Sequence, residues 1–189
     1  MKKIIISALT MLMMGTCIIG CSSGDKTTGN FGHIEADGMV LNVGETKVSE
    51  VKDAGYTYEW TSSVYEEQKE KKGKTFSTSA LSFSKDGEIY AGCGVINKNA
   101  TQTPLDDCLV GDTTIYTHYE GRHNFASVKI DGKEIAGKTK DEVKALFDKE
   151  PNIDEDYLYY VNDKSTYKIV FGEDGKVDNI HIDVKENEL

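Results

Sequence analysis

Two stretches of this 189-residue chain follow the same order of residue types. The first, DGMVLNVGETKVSEVKDAGY, runs from Asp37 to Tyr56, and the second, DGKEIAGKTKDEVKALFDKEP, from Asp131 to Pro151. Each opens on Asp-Gly, passes through a short segment with aliphatic residues, reaches Gly-x-Thr-Lys and then takes up a helical pattern. Thr46 and Thr139 stand where an N-cap belongs, since a hydroxyl there accepts from an orphan amide of the first turn. Thr139 and Glu142 have the spacing of a capping box. Val143, Leu146 and Phe147 then form an apolar stripe at helical spacing, and Val48 and Val51 form the shorter stripe of the first copy. Gly55 suits the residue after a helix C-cap, and Pro151 closes the second copy.

The likeness continues downstream. SALSFSKDGEIYAGCGVIN, from Ser79 to Asn97, matches STYKIVFGEDGKVDNIHIDV, from Ser165 to Val184. Phe83 pairs with Phe171, Asp86-Gly87 with Asp174-Gly175, and Ile89 with Val177. Both read as hairpins: an alternating strand, an Asp-Gly turn and a second alternating strand. In the second, Tyr167, Ile169 and Phe171 share a face, while Val177, Ile180, Ile182 and Val184 line the return. The change of phase at Asp178-Asn179 predicts a β-bulge. The fold expected is α+β, with two related units at residues 33–120 and 121–189, each a short helix packed on antiparallel strands. The first unit carries two insertions, EEQKEKKGKT (Glu66 to Thr75) and the segment between Cys93 and Cys108. The charge run is expected to be a solvated loop.

The N-terminal end has a different character. Met1-Lys2-Lys3 is basic, and Ile4 to Ile19 is nearly all apolar but short for a bilayer span of about 20 residues. This is the layout of a secretory signal. Ile18-Ile19-Gly20-Cys21 resembles the lipobox of bacterial lipoproteins. The resemblance implies that residues 1–20 are a signal peptide cut between Gly20 and Cys21, and that the Cys21 sulfur carries a diacylglyceryl group. The localisation implied is the extracytoplasmic face of the cell membrane, with membrane lipid as the partner of the anchor and fatty acids such as palmitate as its chains. Two acyl chains suffice for stable anchoring, at about 0.8 kcal/mol per buried CH₂. Residues 21–32 are polar and aperiodic and read as a flexible tether. The whole chain is also similar to lipoproteins of Gram-positive anaerobes, in keeping with 21 Lys against a single Arg, Arg122.

Loss of Lys2 and Lys3 with the signal would move the formal charge from −10 to −12. So acidic an exported domain argues against a nucleic-acid partner and against close docking on anionic lipid. Of the four cysteines, Cys17 leaves with the signal and Cys21 is lipidated. Cys93 and Cys108 remain as an even pair in an oxidising compartment, and a disulfide between them is favoured over two free thiols or half a metal site.

The Gly-x-Thr helix start followed by Glu and Val resembles a family of small exported α+β modules. Its members include β-lactamase-inhibitor-like tandem repeats and small outer-membrane-assembly lipoproteins. The resemblance spans Asp131 to Asp183 best and departs at Asp148-Lys149-Glu150-Pro151, where the family has Gly-x-Pro. It implies a helical pair on an antiparallel sheet and a module that binds protein, here an envelope or extracellular protein. It brings no catalytic residue with it.

The residues themselves point the same way. His33, His118, His123 and His181 have no metal-ligand spacing; His118 and His123 flank Gly121 in a turn, and His181 is placed on an outward strand position. The acidic clusters PNIDEDY and TPLDDC lack the ligand order of a calcium loop. The glycines around Cys93 in DGEIYAGCGVIN precede no helix, which removes a dinucleotide fingerprint. No cofactor or metal is expected, and no enzyme. Trp60 with Tyr157, Tyr159 and Tyr160 could form a sugar-stacking platform or simply cross-strand core pairs. The first expectation is therefore a non-catalytic protein-binding or scaffold module. The alternative is a peptide or glycan receptor that uses Trp60 and Tyr159 between the two units.

Overall fold

The computed structural model describes residues 33–60, 81–98, 103–120 and 122–185. The signal, Cys21, the tether, the insertion at 66–75, Gly121 and the side chain of Trp60 lie outside the described residues.

Three Asp-Gly pairs make turns, the one expected at Asp86-Gly87 and two more at the Asp-Gly pairs that open the repeated stretches. Asp37 (φ 44°) and Gly38 (φ 88°) join β1 (Ile34–Ala36) to β2 (Met39–Leu41). Asp86 (φ 53°) and Gly87 (φ 83°) join β4 (Leu81–Lys85) to β5 (Glu88–Ile96), and Asp131 (φ 49°) and Gly132 (φ 77°) join β7 (Val128–Ile130) to β8 (Lys133–Glu134). Both central residues are left-handed, as a type I′ turn requires, and Asp tolerates that region through local hydrogen bonding. The fourth pair differs. Only Gly175 (φ 74°) is left-handed between β11 (Ser165–Phe171) and β12 (Val177–Val184). There the Gly175 N–H donates to the Gly172 carbonyl and the Gly172 N–H to the Lys176 carbonyl, both at 2.9 Å.

The helices are short. α1 covers Val48–Asp53 and α2 covers Lys140–Leu146. The capping box of α2 forms: the Thr139 N–H donates to Glu142 Oε2 at 2.8 Å, and its hydroxyl lies 2.9 Å from the same oxygen. At α1 the expected cap is displaced by one residue. Lys47 is the N-cap, without a side-chain bond. The Thr46 hydroxyl instead accepts from the Asn42 N–H at 2.8 Å, closing the loop before the helix. α1 ends in a Schellman motif, with the Gly55 N–H on the Lys52 carbonyl and the Tyr56 N–H on the Val51 carbonyl. Phe147 leaves α2 in an extended conformation and packs edge-on to Tyr160 at 5.4 Å.

The remaining strands are β3 (Thr57–Trp60), β6 (Leu109–Tyr116), β9 (Asn152–Ile153) and β10 (Tyr157–Val161). A 3₁₀ turn, Leu105–Asp107, leads into β6. Two antiparallel sheets result, a small one ordered β2-β1-β7-β8 and a large one ordered β3-β4-β5-β6-β12-β11-β10-β9. The protein is mostly β, in two antiparallel sheets with few helices. Among the described residues each half of the chain has one α-helix and one small hairpin, where the resemblance implied a helical pair.

Both sheets cross the expected boundary at residue 120. In the small sheet Ile34 pairs with Ile130, and in the large one Ile115 pairs with Ile180. One apolar cluster unites the small sheet (Ile34, Ala36, Met39, Leu41), the helices (Val48, Val51, Val143) and one face of the large sheet (Leu81, Phe83, Ile115, Tyr160, Tyr167, Ile180, Ile182). Alternation along the strands leaves the other face of the large sheet half-exposed at Tyr157, Tyr159, Lys168, His181 and Thr114. The bulge predicted on the return strand is present: Val170 pairs with Asn179 and Phe171 with Val177, leaving Asp178 as the extra residue. Its freed carbonyl accepts from the N–H groups of Thr117 and His118 at 2.8 and 3.0 Å.

The disulfide is not formed. Cys93 and Cys108 are two separate, buried thiols. The register explains why. Cys93 stands opposite Thr113, while Cys108 precedes Leu109, the partner of Ile96. The two positions are thus offset by four to five residues along the ladder, about 13–16 Å at 3.3 Å per residue. A disulfide needs Cα atoms within about 7 Å. The Cys108 thiol points instead at the carbonyls of Pro104 and Thr103, at 3.5 and 3.9 Å.

Candidate functional site

A cavity of about 470 Å³ opens where the two halves of the chain meet. The first half contributes His33 at the start of β1 and Asn42, Val43 and Glu45 from the loop after β2. The second contributes Asp131 from the β7–β8 turn, Asn162 to Lys164 from the β10–β11 turn, and Ser165 and Tyr167 from β11.

Its parts are held by local bonds. Asn42 is fixed by a reciprocal loop, since its carbonyl accepts from the N–H groups of Glu45 and Thr46 at 2.9 and 2.8 Å. His33 Nδ1 lies 3.1 Å from Asn42 Oδ1, and its Nε2 lies 3.4 Å from Glu35 Oε1. Asn162 Oδ1 accepts from the N–H groups of Lys164 and Ser165 at 2.9 and 2.6 Å and from the Ser165 hydroxyl at 3.1 Å. That pattern is a side chain mimicking a turn. Lys164 Nζ crosses between the halves to Glu45 Oε1 at 2.8 Å. The hydrogen bond from Lys164 holds the Glu45 carboxyl below the usual 4.5. Ser165 and Tyr167 are 5 % and 1 % exposed and form the polar floor. Burial pushes the Tyr167 phenol up; the Ser165 hydroxyl bonds to it and opposes that rise, and the Asp131 charge nearby adds to it.

The cavity offers carboxylates, amides, an imidazole, hydroxyls and an ammonium. It can hold a polar ligand by many hydrogen bonds. Among the described residues no group of three or more His, Cys, Asp or Glu could hold a metal ion.

A second array lies on the open face of the large sheet. His181 Nδ1 is 2.8 Å from the Thr114 hydroxyl, and His181 Nε2 is 2.8 Å from Asp183 Oδ1. Hydroxyl, imidazole and carboxylate in this order are the parts of an activated nucleophile. They lie on a pleated surface rather than in the cavity. His181 keeps the outward position expected of it. Among the described residues His118 and His123 do not converge with a third ligand. His123 stacks on Tyr90 at 3.8 Å and bonds Glu88 Oε2 at 2.7 Å.

Trp60 belongs to β3 and Tyr159 to β10, six places apart in the strand order of the large sheet, and the side chain of Trp60 lies outside the described residues. Tyr160 is buried in the core. Tyr157 and Tyr159 do pair edge-to-face at 4.8 Å, with Lys168 Nζ over Tyr157 at 4.4 Å. The cavity residues escaped the sequence reading because they come from five loops and strand ends. The only signal that pointed toward them was the likeness of the two halves, which made their junction the place to look.

No family model matches this chain, and neither curated proteins nor solved structures give a significant match.

Proposed function

We propose that this chain is a membrane-anchored extracytoplasmic lipoprotein whose folded part is a non-catalytic protein-binding or scaffold module made of two related units. The observation that carries the reading is the recurrence of one element order. Hairpin, helix and three-strand meander occur as β1-β2-α1-β3-β4-β5 and again, with the short β9 added, as β7-β8-α2-β10-β11-β12. Detail supports it. α1 and α2 both bury a valine at the fourth helical residue, Val51 and Val143. Both return strands bulge one residue after their first apolar position, at Tyr90 after Ile89 and at Asp178 after Val177. The partner surface in this reading is the open face of the large sheet, where one register row runs Thr114, His181, Lys168, Tyr159. Half-exposed tyrosines beside polar groups are the side chains that anchor protein contacts.

Two experiments test it. Cys21→Ser moves the chain from the detergent phase to the aqueous phase in a Triton partition; detergent partition of the variant equal to wild type defeats the anchor. A photocrosslinker at Lys168 captures an envelope protein that the same group at Lys133, on the small sheet, does not. Identical adducts from both positions, or none from either, defeat the sheet-face reading.

A second reading, a receptor for a small ligand, is favoured by the cavity to which both halves contribute.

A further inference from the structure

A second cleft, of about 400 Å³, opens beside the β4–β5 turn. Gly87, Glu88 and Ile89 line it from the hairpin, and Arg122 and His123 from the loop that follows β6. That loop is held by its own bonds. The Asn124 side chain accepts from the Tyr119 N–H at 2.6 Å and donates to the Tyr119 carbonyl at 3.3 Å. The His123 N–H donates to the Ile89 carbonyl at 3.0 Å, which fastens the loop to β5. The imidazole is fixed in turn. It stacks on Tyr90 at 3.8 Å and stands edge-on to Phe125 at 5.9 Å, and its Nδ1 lies 2.7 Å from Glu88 Oε2. An ionised carboxylate only accepts, so Nδ1 carries the proton of that bond. The neutral ring then presents Nε2 as a lone pair. Among the described residues neither Nε2 nor the exposed Arg122 guanidinium has a hydrogen-bond partner. Arg122 is also the single arginine beside 21 lysines. A guanidinium offers a planar fork to two oxygens at once, which an ammonium does not.

The cleft thus holds a forked donor, an acceptor nitrogen and an apolar wall at Ile89. Its surroundings limit the charge it accepts. Glu88 lines it, Asp86 stands in the adjoining turn, Glu120 comes shortly before Arg122, and the full chain carries −10. A cation brought here meets Arg122 as a like charge. A doubly charged anion gains one pairing and is repelled by the carboxylates around it. A single carboxylate fills the fork, and a hydroxyl on the same molecule donates to Nε2. We infer that this cleft binds the carboxylate of a hydroxylated molecule, with Arg122 taking the carboxylate bidentately and His123 Nε2 accepting from a hydroxyl beside it. The charge-assisted fork supplies orientation. Glu88 acts as a positioning residue, since its bond to Nδ1 sets the tautomer that leaves Nε2 as the acceptor. The site is separate from the cavity between the β2–α1 loop and the β10–β11 turn and does not depend on the receptor reading of that cavity.

The test titrates the full chain, held in detergent and neutral buffer, with glucuronate. Glucose, acetate and glucose 6-phosphate serve as probes that lack the carboxylate, lack the hydroxyls or carry a second charge. Binding is measured by calorimetry and located by amide shift changes. The expected result is that glucuronate binds about tenfold or more tightly than each of the others, the worth of one charge-assisted contact, with shifts centred on residues 87–89 and 122–123. Arg122→Lys keeps the charge but loses the fork, and weakens glucuronate about tenfold. His123→Phe keeps a ring on Tyr90 but loses Nε2, and weakens glucuronate while leaving acetate unchanged. Glucose bound as tightly as glucuronate overturns the carboxylate contact, and acetate bound as tightly overturns the hydroxyl contact. Glucose 6-phosphate bound as tightly overturns the restriction to a single charge, and with it the carboxylate assignment. No binding by any probe, shifts confined to other residues, or an unaltered affinity in Arg122→Lys overturns the site itself.

Discussion

Cys93 and Cys108 show how a residue's partner is decided by register. Burial pushes the Cys93 thiol up, so it is a poor nucleophile in the folded chain. Both thiols should therefore resist a water-soluble maleimide until denaturant is added, and the thermal midpoint should be the same with and without reductant. Protection from maleimide in denaturant that only reductant relieves would restore the disulfide. The carboxylates make a separate prediction. Glu35, Glu45 and Glu142 are held below the usual 4.5, first by hydrogen bonds from Lys129, Lys164 and the Thr139 N–H respectively. A carboxylate whose folded value lies below its unfolded one contributes in full above the unfolded value and loses that contribution as pH falls through the folded one. The urea midpoint should thus hold from pH 7 to about 5 and fall below about 4.5. Glu142→Gln should flatten that fall; an unaltered pH profile in the variant would refute the role given to the cap. The box at Thr139 and Glu142 was legible from four residues because capping is local chemistry. Thr46 missed its expected place because a loop bond to Asn42, also local, competed for the same hydroxyl.

At the scale of elements, turns were the most legible part. Asp-Gly at positions 37, 86 and 131 builds the same left-handed pair each time, since few other dipeptides tolerate two successive positive φ values. The bulge at Asp178 was legible too, from a break in alternation. The narrow approach of β5 and β6 was not. A Cβ on Gly111 would lie 3.2 Å from the Gly94 carbonyl carbon and 3.2 Å from Ile96 Cγ1. The first is backbone and cannot turn aside. Gly111→Ala should lower stability by about 1–3 kcal/mol, the cost of overpacking, read from urea unfolding. An unchanged midpoint would mean that the strands separate freely there. Gly111 looks ordinary in sequence because its constraint comes from a strand about fifteen residues away in the chain.

The whole molecule is held by two seams, β1 with β7 and β6 with β12. Each half alone would expose one side of both seams and part of the shared apolar cluster. Fragments 33–120 and 121–189 made separately should each give poorly dispersed amide spectra and no cooperative unfolding, and mixing them should restore both. A well-dispersed spectrum from either fragment alone would show that it has a core of its own. The seams follow from pairing at long range, which hydrophobic alternation permits without specifying.

The sequence by itself determined the Asp-Gly turns, the capping box, the phase of the strands and the α+β content with its predominance of hairpins. These depend on φ, on hydrogen bonds a few residues long and on alternation, all written in neighbouring residues. Tertiary structure alone decided that the halves share two sheets, that Cys93 and Cys108 stand apart, that Trp60 and Tyr159 occupy distant strands, and that His33, Asn42, Asp131, Lys164 and Tyr167 surround one cavity. Strand order brings these residues together or keeps them apart, and strand order is set by burying one common apolar face, a property of the whole chain rather than of any stretch of it.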